Sequence, residues 1–309
     1  MRAVLLLAWL LVAACSRADE PTSQVELDAA VACGAPVITA WAEFLLEDLP
    51  VEVRALHGLH GAPTGQMPSR EQLRGAQSAR LVVLNGAGFE SWLGTAALPP
   101  SRTRATAGGL DEMLLQTEER THAHGGQGEH THPALDGRTW LDPELARAQA
   151  ARLVAELTAA FPEQAGVLAV RATELEERLL RGEAGLHPHR ADLAACRVLA
   201  IHDQGYGYLA RSWGGEVREI ELGLDAKLDS ADWNRVRAQL DGAGGLLLCP
   251  AEPGAALREQ LAAEMRLVCV VFTTGENAPQ PGAWWRERET AQAALIAGLE
   301  ALFELRAAE

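Results

Sequence analysis

Histidines crowd into one short stretch of this sequence and suggest metal chemistry. Four of the nine histidines lie between residues 121 and 132, as the pairs His122/His124 and His130/His132. In an extended segment residues i and i+2 point the same way, so each pair can offer two imidazoles to one ion. Imidazole suits zinc, copper, iron and nickel. The pattern predicts a metal-ligand segment; the alternative is a solvated loop that only buffers metal weakly.

Two more candidate ligands follow predicted strands in the second half of the chain. His202 comes directly after the run Arg197–Ile201, and Glu252 follows Gly245–Cys249. In open parallel sheets, ligands bind beyond the carboxyl ends of the strands. A histidine and a carboxylate on neighbouring strand ends therefore predict half of a divalent metal site. A core or capping histidine is the alternative for His202.

Strands and helices alternate along the chain, which predicts an α/β fold with parallel sheets. In the first half the pattern predicts a strand at Val51–Leu56, a helix at Ser69–Ala79, a strand at Leu81–Leu84 and a helix that begins at Asp142-Pro143. A long helix after Phe161-Pro162 is predicted to end near Gly182.

The second half is a regular series of strands and helices. Strands are predicted at Arg197–Ile201, Val217–Leu222, Gly245–Cys249 and Leu267–Phe272. Helices are predicted at Gly205–Trp213, Ala231–Leu240, Gly254–Glu264 and Trp284–Leu305.

The N-terminus reads as an export and lipidation signal. Arg2 precedes an apolar run too short to span a bilayer, and Val12-Ala13-Ala14-Cys15 matches a bacterial lipobox. We therefore expect a periplasmic or cell-surface protein held to a membrane by lipid on Cys15; the alternative is an ordinary signal peptide that ends near a cysteine. The formal net charge of −15 argues against nucleic acid as a partner.

These signals divide the chain into five predicted segments. They are a lipoprotein signal peptide (1–15), a tether (16–24), an N-terminal α/β lobe carrying the His-rich loop 121–132 (25–160), a connecting helix and loop (161–194) and a C-terminal α/β lobe (195–309).

Several blocks resemble the lipid-anchored solute-binding proteins of zinc and manganese ABC importers. Leu81–Leu93 is similar to that family's "LVVxNGxGxExWL" block, Trp140–Pro143 to its "WLDP", Ile201–Leu209 to its "HxxfxYla" and Ala251–Pro253 to its "xEP". The resemblance implies two α/β lobes joined by a long, rigid helix, with a divalent metal held in the cleft between them. It also implies a permease in the cytoplasmic membrane as partner, and no catalytic activity. A His-rich loop before "WLDP" is typical of the zinc-handling members.

The resemblance fails at positions where the family places its ligands. The first-lobe histidine of the family aligns near Pro63, with His57 and His60 a few residues upstream, and the histidine before "WLDP" aligns with Arg138. The aspartate after the last strand aligns near Thr273. Only His202 is in register with a family ligand.

We therefore expect loop histidines to replace the missing ligands. His130 and His132, nearer to Trp140, would join His202 and Glu252 in a roughly tetrahedral zinc site, with His122, His124, His57 and His60 as further candidates. A His-dominated ligand set favours zinc over manganese. One alternative is a degenerate member that stores metal at the surface or binds a chelated or organic ligand. A secreted metallohydrolase is the other, although no metalloprotease or serine-hydrolase motif supports it.

Three other groups of residues have simpler interpretations. His187 and His189 are predicted to lie on a surface loop, and Glu43, Glu47 and Asp48 on a solvated helix face. The seven tryptophans beyond the predicted signal peptide are predicted to pack in the core or between the lobes. Cys196, Cys249 and Cys269 lie in apolar runs that predict buried thiols, although a Cys249–Cys269 disulfide is an open alternative outside the cytoplasm.

Overall fold

The computed structural model describes residues 27–57, 66–117, 134–201, 205–224, 228–240, 242, 244–276 and 282–307. Seven residues named in the metal and lipid predictions lie outside these ranges: Cys15, His60, His122, His124, His130, His132 and His202. Of the candidate ligands, His57 and Glu252 lie within them.

The first lobe is built on a parallel four-stranded sheet. In spatial order its strands are β2 (Glu52–Ala55), β1 (Asp28–Cys33), β3 (Ala79–Leu84) and β4 (Thr103–Ala105). The sheet packs with α1 (Pro36–Leu46), α2 (Arg70–Ser78) and α3 (Pro143–Ala160). The short strands β5 (Gln116–Thr117) and β6 (Ala134–Leu135) pair antiparallel before α3.

Local sequence explains where two of these helices begin. Ser69 accepts a hydrogen bond from the backbone N of Gln72, whose side chain accepts one from the backbone N of Ser69. This reciprocal pair is a capping box. At α3, Asp142 Oδ1 accepts from the backbone N of Glu144 and Leu145, and Pro143 takes the first helical position. Both predicted starts are confirmed.

The second lobe repeats the architecture with a second parallel four-stranded sheet. In spatial order its strands are β10 (Leu267–Val271), β9 (Gly245–Cys249), β7 (Arg197–Ile201) and β8 (Val217–Ile220). The helices of this half are α5 (Arg190–Ala195), α6 (Gly207–Trp213), α7 (Ser230–Leu240), α8 (Ala255–Met265) and α9 (Ala283–Ala307). The predicted alternation of strands and helices is confirmed, with ends that differ by one or two residues.

One long helix, α4 (Ala165–Leu186), contacts both lobes. It packs on α1 and α3 of the first lobe and on α9 of the second. The prediction that it ends near Gly182 is wrong, because the helix runs four residues further, through Gly185. At Gly182 a Cβ atom would lie 3.6 Å from the side chain of Gln292, so α9 lies close against this face. His187 and His189 form a short 3-10 turn just beyond, with His187 exposed, which confirms their surface location.

Tryptophans pack at the junction of the two lobes, as predicted. Trp41 of α1 meets Trp284 of α9 edge-to-face at 6.0 Å between ring centroids, and Trp284 meets Trp285 at 4.9 Å. One apolar core runs through residues of both lobes. Because this core is shared, the lobes bury part of their apolar surface against each other.

Buried ionisable groups complete the description of the core. Glu43 does not lie on a solvated face as predicted; it is half-buried, and burial raises its pKa to about 7. Cys196 and Cys249 are buried free thiols and Cys269 is a half-buried one, so no disulfide joins Cys249 to Cys269.

None of the described helices is by itself long and apolar enough to span a bilayer. Residues 143–160 and 162–195, which are bent by 114° relative to each other, reach the length and composition of a span only when the two segments are taken together.

Candidate interlobe metal centre

The segment that carries Arg138 is fixed by a turn at the carboxyl end of β3. Asn85 Nδ2 donates to the carbonyl of Gly137 at 2.8 Å. A Cβ atom at Gly137 would lie 2.8 Å from the Cα of Phe89, so only glycine allows this approach. The turn therefore sets the position of Asp136 and Arg138.

A buried carboxylate organises that turn in its own right. Glu90 accepts from the backbone N of Asn85 at 2.7 Å and of Gly86 at 2.9 Å. Burial raises the pKa of Glu90 to about 7, although the two backbone N–H groups act in the opposite direction. Asn85, Gly86 and Glu90, the "NG" and "E" of the family block, therefore shape the loop against which Asp136 and Arg138 lie.

A polar network behind the turn holds Asn85 in place. Its Oδ1 accepts from Thr139 Oγ1 at 3.2 Å and from Gln149 Nε2 at 3.0 Å, and Gln149 Nε2 also donates to Thr106 Oγ1 at 2.9 Å. All four residues are buried. Because buried polar groups are costly unless paired, this network fixes the β3 edge in one arrangement.

An ion pair between the two lobes lies beyond the carboxyl end of β3. Arg138 Nε donates to Glu276 Oε2 at 2.8 Å, and Arg138 Nη1 lies 3.6 Å from Asp136 Oδ1. Glu276 follows β10 in the second lobe, whereas Asp136 and Arg138 belong to the first. We call Asp136, Arg138 and Glu276 the interlobe centre.

The interlobe centre is shielded from solvent. The side chains of Asp136, Glu276 and Arg138 are 3%, 5% and 18% exposed. Burial raises the pKa of Asp136, and the negative charge of Glu276 raises it further. Hydrogen bonds from Arg138 and its positive charge lower this pKa in part. The two carboxylates are therefore close enough to repel each other, with one guanidinium to compensate them.

Further hydrogen bonds tie the lobes together around this centre. Trp140 Nε1 donates to the carbonyl of Thr274 at 2.8 Å, and Tyr208 Oη accepts from the backbone N of Leu115 at 2.9 Å. Arg211 Nε donates to Asp142 Oδ2 at 2.7 Å. The "WLDP" block therefore supplies interlobe contacts as well as the start of α3.

The structure places two of the predicted ligands away from the interlobe centre. Glu252 is 61% exposed and pairs with Arg258 of α8. His57 follows β2, and its Nε2 lies 2.9 Å from Thr39 Oγ1. Within the described ranges, no three His, Cys, Asp or Glu side chains come together as a metal site.

Sequence reasoning missed the two carboxylates of the interlobe centre. Asp136 lies two residues before Arg138, and Glu276 lies three residues after Thr273, the position that aligns with the family aspartate. A carboxylate within three positions of Arg138, and another within three positions of Thr273, was the available signal. Their pairing depends on the contact between lobes, which no local pattern shows.

Comparisons with known proteins agree with this architecture. Residues 31–283 match the sequence model of the family described as "ZnuA: Zinc-uptake complex component A periplasmic". No curated protein sequence matches the chain.

Several solved structures share the fold. The metal-dependent lipoprotein YcdH from Bacillus subtilis superposes with a TM-score of 0.72 at 17% identity, covering 88% of this chain and 98% of that one. The Zn(II)-bound ZnuA-like domain of AdcA from Streptococcus pneumoniae gives 0.64 at 19% identity, covering 86% and 96%. FpvC from Pseudomonas aeruginosa in complex with Mn²⁺ gives 0.65 at 18% identity, covering 89% and 99%.

The family match spans both lobes and the helix between them, and the solved structures share the same two-lobed fold. The chain belongs to the family of periplasmic component A proteins of zinc-uptake complexes, which are metal-binding solute-binding proteins of ABC importers.

Proposed function

We propose that this protein captures zinc outside the cytoplasmic membrane and delivers it to an ABC permease. The observation that carries the proposal is the family match over residues 31–283, which spans both lobes and the helix between them. Solved structures of similar fold include proteins in complex with Zn(II) and with Mn²⁺. The role is binding and handover, with no catalytic step.

The proposed ligands are imidazoles of the first-lobe loop and of the second lobe. His130 and His132 would join His202, with Glu252 as a fourth ligand that must first leave Arg258. His122, His124, His57 and His60 are the reserve candidates. The carboxylates of the interlobe centre are already paired with Arg138, which supports a site that relies on nitrogen ligands and therefore zinc rather than manganese.

Competition with a chromophoric zinc chelator tests this ligand set. Replacing His202 by Ala, or deleting residues 121–132, should each lower zinc affinity by at least about tenfold, because each removes imidazole ligands. His187→Ala is the matched control, because His187 is an exposed histidine on a surface turn. Unchanged affinity in both test variants would exclude the proposed ligands.

Ligand imidazoles must be neutral to bind metal, so acid should weaken binding. Zinc affinity is expected to fall as the pH drops towards about 6.5, the ordinary pKa of histidine. Isothermal titration on either side of that value measures the change, and a pH-independent affinity would argue against histidine ligands.

One observation favours a second candidate function. Arg138 stands where the family histidine before "WLDP" aligns, and it is engaged with two carboxylates. A member with this change could serve as a surface metal reservoir or bind a chelated or organic ligand. Stoichiometry distinguishes the two functions, since a reservoir would hold several weakly bound ions and an importer component one tightly bound ion.

Lipid on Cys15 is the proposed anchor. Expression of the full chain in a bacterium fed with radiolabelled palmitate should label the protein, and Cys15→Ser should abolish the label. A labelled Cys15→Ser variant would exclude this anchor.

A further inference from the structure

The guanidinium of Arg138 lies between two buried carboxylates, one from each lobe. Glu276 approaches its Nε at 2.8 Å from the second lobe. Asp136 approaches its Nη1 at 3.6 Å from the first lobe and also accepts the backbone N–H of Arg138 at 3.0 Å. The cation is therefore held between two anions that belong to different lobes.

The packing against this guanidinium is tight on the side of Gly205. Gly205, with a φ of +65°, lies against it from the second lobe. A Cβ atom there would contact Arg138 Nη1 and lie 2.8 Å from Asp136 Oδ1. A side chain at 205 would displace the guanidinium, so the packing fits an arginine in this one position.

This arrangement determines which cations can use the two carboxylates. Carboxylate oxygen is the ligand type that manganese prefers. Here one oxygen of each carboxylate faces a positive charge that cannot be deprotonated. A divalent ion would have to expel Arg138 from a buried pair, and separating such a pair leaves an uncompensated buried charge.

We propose that Arg138 sets the metal selectivity of this protein by acting as an internal cation that withholds Asp136 and Glu276 from manganese. The guanidinium holds the two lobes together as a bound metal would, and leaves only nitrogen-rich ligands for the cargo. The role in cargo selection rests on the proposed zinc function. The withholding of the two carboxylates does not, and it can be tested alone.

The test is manganese binding to the full chain with and without Arg138. Titration with Mn²⁺ alone, followed through the EPR signal of the free ion, compares wild type with Arg138→Gln. We expect Arg138→Gln to bind Mn²⁺ more tightly by about tenfold or more, because the change releases the oxygens of two buried carboxylates from the guanidinium. The double variant Arg138→Gln/Glu276→Gln should lose this gain.

A matched control shows whether the loss of any interlobe arginine changes Mn²⁺ affinity, or only the loss of Arg138. Arg211→Gln removes a different interlobe ion pair, that with Asp142, and should leave Mn²⁺ affinity at the wild-type level. Should Arg138→Gln fail to fold, Arg138→Met provides a second neutral replacement that adds no nitrogen or oxygen ligand. Glu276→Gln in the wild-type background should not change Mn²⁺ affinity, because Glu276 is already withheld.

Two results would overturn the proposal. One is a folded Arg138→Gln or Arg138→Met variant that binds Mn²⁺ no more tightly than wild type. The other is a Glu276→Gln single variant that binds Mn²⁺ more weakly than wild type. Failure of zinc binding in wild type would instead count against the proposed function, and would leave the manganese comparison intact.

Discussion

The indole Nε1 of Trp140 donates a hydrogen bond to the backbone carbonyl of Thr274 at 2.8 Å, joining the first lobe to the loop after β10. Both groups are buried. Arg138 and Glu276, which form the interlobe ion pair, lie two residues away from Trp140 and Thr274 respectively. This hydrogen bond therefore helps to hold Arg138 and Glu276 within ion-pair distance of each other.

Removing the Trp140 hydrogen bond should destabilise the protein. In Trp140→Phe the Thr274 carbonyl loses its partner, and we expect the free energy of unfolding to fall by about 1–3 kcal/mol, measured by urea denaturation. Trp213→Phe is the matched control. The buried Nε1 of Trp213 has no acceptor in the part of the chain that the structure describes, so this change costs no hydrogen bond. Equal losses in the two variants would contradict the assigned role of Trp140.

Asp142 serves both as the cap of α3 and as the partner of Arg211. Asp142→Ala removes both functions, whereas Asp142→Asn keeps a capping oxygen and loses the charge. We expect Asp142→Ala to lower the free energy of unfolding by about 1–2 kcal/mol more than Asp142→Asn. Thermal and urea unfolding measure this difference.

The interlobe part of the Asp142 effect can be isolated. A double-mutant cycle of Asp142→Asn with Arg211→Gln gives the coupling energy of the pair. A coupling energy of zero would show that the pair does not stabilise the lobe contact.

Glu43 should make stability depend on pH. Burial raises its pKa to about 7 in the folded protein, against about 4.3 in an unfolded chain. Between these values the folded state holds a proton that the unfolded state has released, so stability falls as the pH rises through this window. Urea unfolding of metal-free protein at about pH 5 and about pH 8 should show a smaller decrease in Glu43→Gln than in wild type.

Glu47→Gln, an exposed position at the end of the same helix, is the control for Glu43. Its decrease in stability should equal that of wild type. A Glu43→Gln variant with the full wild-type decrease would show that Glu43 does not carry the effect.

Much of the fold could be predicted from sequence because local signals and burial agree. Arg197–Ile201 and Gly245–Cys249 are short apolar runs that become β7 and β9 with the predicted bounds. Asp142-Pro143 begins α3 because the cap and the proline act locally. By contrast, the sequence analysis did not predict β1, whose Asp-Ala-Ala-Val-Ala-Cys is poor in the residues that favour strands.

The rest of the structure depends on contacts that join distant parts of the chain. Gly182 predicted the end of a helix, but α4 packs on both lobes and continues past this glycine. Asp136 and Glu276 are unremarkable in sequence and become a site only because Arg138 meets both of them. The ligand histidines other than His57 lie outside the described residues, so the zinc ligands remain a prediction from sequence.

The metal content of the mature protein, purified without a His tag and analysed by mass spectrometry of its metals, tests the central claim most directly. If the protein is the zinc-binding component of an importer, each chain should retain one zinc ion through dialysis, while manganese is absent. Protein that retains no metal, or that retains manganese in place of zinc, would contradict this account.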